Sequence, residues 1–419
     1  MYALTRLCML TPLTSPSSPH KKLSWLLNKP DNVVSVARAH DDILYGQYNF
    51  TDPHLTQTMF HEHVVHKEIV RNLAAIIPNA WDEMQSAVDE IWGTDTTNWK
   101  DSAVFDDGMK IVARVSNRML VGLPLCRDET YLKNVGYFAS DVILLMTLMN
   151  FVPNILAPIA GRILSIPHWI HFRRIKKLTI PVIKARLLAL SQADEKGTGI
   201  PNDYITWHIK TAAAENDLPS LQPERIASSL MPLNFATLHT TTLTLTSLLF
   251  DIFSSDPSVA TILCEEAEAV YASNNNTWDK QSLSRLVRMD SAIRESMRLN
   301  TIGARVMIRK VIADEGLTNE EEGWTVPKGT YVTVDAHSPM HDPEVYAEPN
   351  VYDPFRFSRP REQLEEEMAK HRGATNGSGL DAKERDDSRE KAELLKLKNT
   401  GVITTSDTYL PFGHGRHAW

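Results

Sequence analysis

Several short stretches of this chain bring together residue types that could do chemistry. Glu295 and Arg298 lie three apart in a helical pattern, so they face the same side and can pair. Alone, such a pair is surface decoration worth roughly a few tenths of a kcal/mol. Some way downstream, in Glu-Pro-Asn-Val-Tyr-Asp-Pro-Phe-Arg-Phe, Arg356 follows an Asp-Pro-Phe turn. A second guanidinium offered to the same carboxylate makes a charge network that fixes distant segments against each other.

A second constellation, Ala236 to Thr241 (Ala-Thr-Leu-His-Thr-Thr), sits in the uncharged stretch Ile226–Phe250. Threonine hydroxyls in a helix bond back to the carbonyl four residues earlier and open or bend it. Two readings stand. One is packed helix threonines beside a satisfied His239. The other is a kinked helix crossing a pocket, with His239, Thr240 and Thr241 placed to relay protons. Phe412 to Trp419 contains the string Gly413-x-Gly415-x-x-Ala418. A dinucleotide fingerprint also needs a following helix and an acidic residue about 20 positions on; the sequence stops at Trp419, so that reading is set aside. In His61-Glu-His-Val-Val-His66 the histidine spacings are two, three and five. The zinc-protease pattern needs four, so these are read as polar residues at a helix start or pocket edge.

The elements that must position these groups change texture along the chain. Residues 53–300 carry the 3.6-residue periodicity of successive helices, as in Lys280–Asn300. Residues 303–338 alternate apolar and β-branched with polar positions around a Pro-Lys-Gly turn, and predict short strands. Arg359 to Lys398 is dense in charge and reads as a solvated loop with helical fragments, inserted within a domain. Two uncharged stretches, Val142–Gly161 and Ile226–Phe250, read as buried core rather than spans, because prolines, asparagines and threonines interrupt them. The first is also placed to touch a membrane surface. A 42% hydrophobic content over 419 residues supplies a large core, and 23% charged residues excludes a disordered chain. The net charge of −8 argues against nucleic acid as a partner. Three cysteines (Cys8, Cys126, Cys264) make neither a disulfide framework nor a paired metal site, and suit a reducing compartment.

Taken in order, these motifs resemble the cytochrome P-450 family of haem-thiolate monooxygenases, of the fungal type, over roughly residues 25–419. Glu295-x-x-Arg298 looks like the K-helix pair, and Arg356 like the meander arginine that completes a structural triad. Ala236 to Thr241 looks like the oxygen-activating groove of the I helix, with Thr240 at the usual threonine and His239 where an acid is more typical. Phe412, Gly415 and Arg416 lie in what looks like the cysteine loop under the haem; Arg305 and His417 look like propionate partners. His61 to Arg71 looks like the C-helix region, with His66 or Arg71 assisting.

The resemblance implies a mainly α fold with a small β-sheet. It implies haem b, O2, a lipophilic small-molecule substrate of fungal secondary metabolism, and electrons from an NADPH-cytochrome reductase. An intact parent would sit at the cytosolic face of the endoplasmic reticulum membrane, with peripheral membrane contact; this chain, without an anchor, would be cytoplasmic. The family's axial cysteine belongs at position 419, where this chain has Trp419, and an indole is a donor only. The expectation is therefore a domain shortened at both ends: residues 1–24 as a truncated N-terminal segment, a charged insertion at about 359–400, and no L helix after Trp419. The alternative function is a catalytically dead paralogue, or an apolar-ligand binder without thiolate-ligated haem.

Overall fold

Apolar residues spaced at three and four make most of the chain helical. The computed structural model describes residues 7–10, 19–50, 52, 55, 59–192, 199–374 and 401–415. In chain order, β1 (Leu7–Leu10), α1 (Pro19–Leu27), β2 (Val34–Ser35), α2 (Val36–Ile43) and α3 (Gly46–Asn49) lead into α4 (Phe60–Ile91) and α5 (Val104–Leu120). Next come α6 (Glu129–Met149), α7 (Ala157–Leu164), α8 (Ile166–Gln192), α9 (Tyr204–Ala214), α10 (Pro223–Phe253), α11 (Pro257–Ser273), α12 (Lys280–Leu283) and α13 (Val287–Leu299). The strands follow as expected: β3 (Arg305–Val311), β4 (Leu317–Asn319), β5 (Trp324–Val326) and β6 (Tyr331–Asp335). Last come α14 (His337–Met340) and α15 (Arg359–Ala374), the latter opening the charged run whose residues 375–400 lie outside the described set.

Aspartates start several of these helices. Asp128, Asp203 and Asp256 accept from the amides of Tyr131, Thr206 and Ser258, each satisfying one N-terminal donor of α6, α9 and α11.

The chain forms two compact units. One comprises Ala37–Thr246 with Trp278–Lys280. Its core is aromatic around Phe138, whose ring lies 6.4 Å from Phe50 and 6.3 Å from Phe172. A polar lock crosses that core: Tyr131 donates to Asn117 Oδ1 at 2.8 Å, and Asn117 Nδ2 donates to Asn234 Oδ1 at 2.8 Å. It joins α6, α5 and α10 through side chains that are fully buried, so each must be bonded or cost stability.

The other unit comprises Met1–Val36, Ser247–Thr277 and Gln281–Trp419. It holds a sheet in the order β1-β6-β3-β2, with β1 parallel to β6 and the other pairs antiparallel, and a separate β4-β5 hairpin. Val34, Val311 and Val332 pack under this sheet with Leu26 of α1.

One expectation needs correction. Val142–Gly161 is not a buried core stretch throughout. Val142 packs into the aromatic core and Leu145 and Met149 are buried, but Phe151, Ile155 and Ile159 are exposed. Phe151 and Ile155 lie in the turn after α6 and Ile159 on the short α7, and lack of charge does not tell which side chains of such a segment face inward.

Candidate functional site

α13 gathers the chain that follows it. Glu295 is fully buried, and its carboxylate accepts from Arg298 Nε and Nη2, both at 2.8 Å, and from Arg356 Nε at 2.9 Å. Arg298, also fully buried, donates onward to the Met340 carbonyl and lies over the Tyr346 ring at 4.8 Å. Arg356 donates to the carbonyls of Ala347 and Val351, tying down the turn before it. The three residues singled out by spacing are thus one network.

Two members of this hub were not foreseen. Arg294 donates to the carbonyls of Gly401 and Thr404 and stacks 3.7 Å from the Tyr409 ring centroid. Asp290 accepts from the Val402 amide at 3.0 Å. Backbone carbonyls and ring faces leave no spacing signal. The available hint was the repeat of charge at 290, 294 and 298 along one helix face.

The segment held by Arg294 leads into the glycine loop. Gly413 and Gly415 have φ of +76° and +82°, a region that costs any residue with a Cβ. A Cβ on Gly415 would also stand 2.9 Å from Leu27 Cδ2. Between them His414 Nδ1 is 2.8 Å from Thr405 Oγ1, and the His414 amide faces Met307 Sδ at 3.2 Å. Phe412 packs into the cluster of Leu23, Met297 and Tyr409. Arg305 is exposed at the first position of β3. Arg416, His417 and Trp419 lie outside the described residues.

In the first unit, α10 runs unbroken through Pro232 and the threonines. The hydroxyls bond back as expected: Thr240 to the Ala236 carbonyl at 2.6 Å and Thr244 to that of Thr240 at 3.0 Å. Asn234, Leu238 and Thr242 form the buried stripe, which leaves Ala236 and Thr240 on the opposite side and Thr241 exposed. His239 Nδ1 is buried with no hydrogen-bond partner among the described residues, and burial lowers the pKa of its imidazole.

The cysteines are not near the glycine loop in sequence. Cys126 is buried 3.9 Å from Glu83 Oε2, and desolvation, then that carboxylate, push its thiol up to about 11. Cys264 is exposed on α11. Among the described residues no group of three or more His, Cys, Asp or Glu could hold a metal ion.

The histidines at the start of α4 part company. His63 pairs with Glu215 at 2.8 Å, while His66 is exposed and Arg71 pairs with Glu68 at 3.4 Å. His61 is buried, with no partner for Nδ1 among the described residues. His208 of α9 is buried too, with Nε2 on the Ser220 carbonyl and Nδ1 3.0 Å from the Tyr204 hydroxyl. Burial holds His61 down to about 4, helped by His208; burial likewise holds His208 at about 4.

Both are neutral in the folded chain and take up protons on unfolding once the pH drops below about 6.5. Their contribution is whole above that value and is lost as pH falls through about 4. Between these limits each histidine should remove up to about 1.4 kcal/mol of stability per pH unit. His61→Leu should flatten that slope in urea titrations at pH 7, 6 and 5; an unchanged slope would remove His61 as the cause.

Comparison with known proteins matches the sequence that carries these residues to a family. The family model for cytochrome P450 covers residues 50–418. Cytochrome P450 monooxygenase gloP of Glarea lozoyensis is 29% identical over 413 residues, covering 96% of this chain and 71% of its own. Cytochrome P450 monooxygenase 103 of Postia placenta is 30% identical over 396 residues, covering 94% of this chain and 70% of its own. Cytochrome P450 monooxygenase pbrC of Penicillium brasilianum is 29% identical over 411 residues, covering 96% and 70%. With the Glu295 network and the glycine loop inside the matched span, the chain belongs to the cytochrome P450 family.

Proposed function

We propose that this chain carries the scaffold of a haem monooxygenase that oxidises a lipophilic small molecule in fungal secondary metabolism, using O2 and electrons from an NADPH-cytochrome reductase. The observation that carries this reading is the match, over nearly all of the chain, to fungal proteins named as cytochrome P450 monooxygenases.

Haem b is the cofactor the family implies, and when thiolate-bound it supplies the O–O cleavage. The chain's own residues supply other parts. Thr240 commits its hydrogen to the Ala236 carbonyl, so its oxygen is left to accept, and His239 brings a buried imidazole nitrogen with no partner among the described residues. Together they suit holding a water and passing a proton. Arg305 brings the charge that pairs with a carboxylate.

Among the cysteines whose side chains the structure describes, Cys126 is a buried thiol beside Glu83 and Cys264 is exposed on α11, and position 419, where the resemblance puts the axial cysteine, is a Trp. These residues support a second reading, an apolar-ligand binder without thiolate-ligated haem.

Titration with haemin, followed by the absorption spectrum of the reduced, CO-bound form, separates the two. A thiolate-type spectrum from this chain supports the monooxygenase and removes the second reading. Haem or an apolar fluorescent probe bound without that spectrum supports the second. Binding of neither overturns both.

A further inference from the structure

The unit that holds the sheet carries two histidines that the Glu295 network does not use. His337 opens α14 and His341 follows its last residue, so they are four apart and one helical turn sets one side chain over the other. Their rings are stacked, with centroids 3.9 Å apart and planes 26° from parallel. That is the spacing at which a helix offers two imidazole nitrogens to one cation. The histidines at the start of α4 miss it, and His63 there is already paired with Glu215.

The turn that carries the pair is fastened at both ends. Asp335 accepts from the amides of His337 and Ser338 at 3.0 and 3.2 Å, and Arg298 donates to the Met340 carbonyl. The His341 amide closes the turn on the His337 carbonyl at 3.1 Å, and His341 Nδ1 lies 3.0 Å from the same oxygen. A carbonyl only accepts, so Nδ1 carries the hydrogen and Nε2 keeps its lone pair. Metal-bound histidines are set in this way: the second ring nitrogen donates to a carbonyl or carboxylate, which fixes the tautomer and the ring. Among the described residues no hydrogen bond takes His341 Nε2 or either ring nitrogen of His337. His337 is exposed and His341 half-buried, so solvent reaches both. The charged groups of α13 nearest His341, Arg298 and Glu295, are paired with each other.

We propose that His337 and His341 form a surface site for a late first-row divalent cation, copper(II), nickel(II) or zinc(II), with water completing its coordination. Imidazole nitrogen suits these ions, and copper(II) binds such donors most tightly of the three. Magnesium and calcium take oxygen ligands and are excluded. Stacked rings point their lone pairs side by side, whereas one ion needs them to converge about 2.0–2.1 Å from each nitrogen. The ring of His341 is tethered through Nδ1, so the exposed ring of His337 is the one that turns. A bound ion then clasps the turn between β6 and Tyr346 from outside, as Arg298 holds it from inside through Met340. Binding to the folded state alone raises its stability.

The test is titration of the whole chain, stripped of metal with a chelator, by copper(II) at pH 7, followed by electron paramagnetic resonance and thermal melting. The expected result is a copper signal split by two imidazole nitrogens, with a rise in Tm that magnesium does not give. His337→Ala should weaken binding about tenfold or more and leave the splitting of a single nitrogen. His337→Ala with His341→Ala should abolish both the signal and the rise in Tm. His63→Ala with His66→Ala should change neither. An unchanged circular-dichroism spectrum checks that each variant is folded. If His341→Ala does not fold, the exposed His337→Ala decides alone. A two-nitrogen signal that survives loss of His337 overturns the proposal, as does its loss in the His63 and His66 variant. Absence of binding by copper(II) overturns it outright. The readout does not depend on haem, so the failure of the proposed function would leave it standing.

Discussion

Glu295→Ala is expected to destabilise the chain by about 3–5 kcal/mol, the cost of breaking a buried charge network by removing one partner. Among the described residues the carboxylate is the one acid that pairs with Arg298, whose side chain has no exposed surface, and it also holds Arg356. Without it, the guanidinium of Arg298 would stay buried on a backbone carbonyl and a ring face. Urea unfolding followed by circular dichroism reads this directly. The comparison is Glu365→Ala, which breaks the i,i+4 pair of a half-exposed carboxylate with Arg361 and should cost under about 0.5 kcal/mol. If the two substitutions cost the same, the network is not a structural keystone.

The second large effect is expected at Glu83, in the other unit. This carboxylate is fully buried, accepts from Arg114 Nε and Arg127 Nε at 2.8 Å each, and ties α4 to α5 and to the short turn at Leu125–Arg127. Glu83→Ala should cost about 3–5 kcal/mol, because Arg114 is nearly as buried as its partner and, among the described residues, keeps only the Ser86 hydroxyl and the mostly exposed Glu90. Glu83→Gln keeps an acceptor but not the charge, so its loss should be smaller. An equal loss from both would mean the fit of the side chain matters more than its charge. Removing the carboxylate also removes one of the two causes that raise the Cys126 thiol, so alkylation of Cys126 should quicken in Glu83→Ala under native conditions.

How far the sequence could be read depended on what kind of partner each residue has. Glu295 and Arg298 were legible because a helix dictates which residues meet at a spacing of three, and Arg356 because a Pro-containing turn flags a fixed arginine. The strands from Arg305 to Asp335 were legible from alternation. Arg294 and Asp290 were not, since their partners are main-chain atoms and an aromatic face more than a hundred residues away. The threonines of α10 were legible as back-bonding hydroxyls, and the helix stays hydrogen-bonded from Pro223 to Phe253 around them. The Asn117–Asn234–Tyr131 lock escaped notice altogether: single asparagines in separate helices carry no mark that they meet. Val142–Gly161 was misjudged because composition reports that a stretch is apolar, not which way each side chain turns.

The hub on α13 also sets an order of events during synthesis. Asp290 waits for Val402, 112 residues later, and the Glu295 carboxylate waits for Arg356, 61 residues later. At roughly 5–20 residues per second, the chain that completes the hub leaves the ribosome about 6–22 s after the helix itself. During that interval Asp290, Arg294, Glu295 and Arg298 are a run of charged residues that water solvates well, so the helix has little reason to collapse onto wrong neighbours. The segment around Gly401 to Tyr409 then acts as the closing piece. A ribosome that stalls before Val402 leaves a nascent chain whose second unit is held open at α13, and such a chain should be the preferred target of chaperones and proteases.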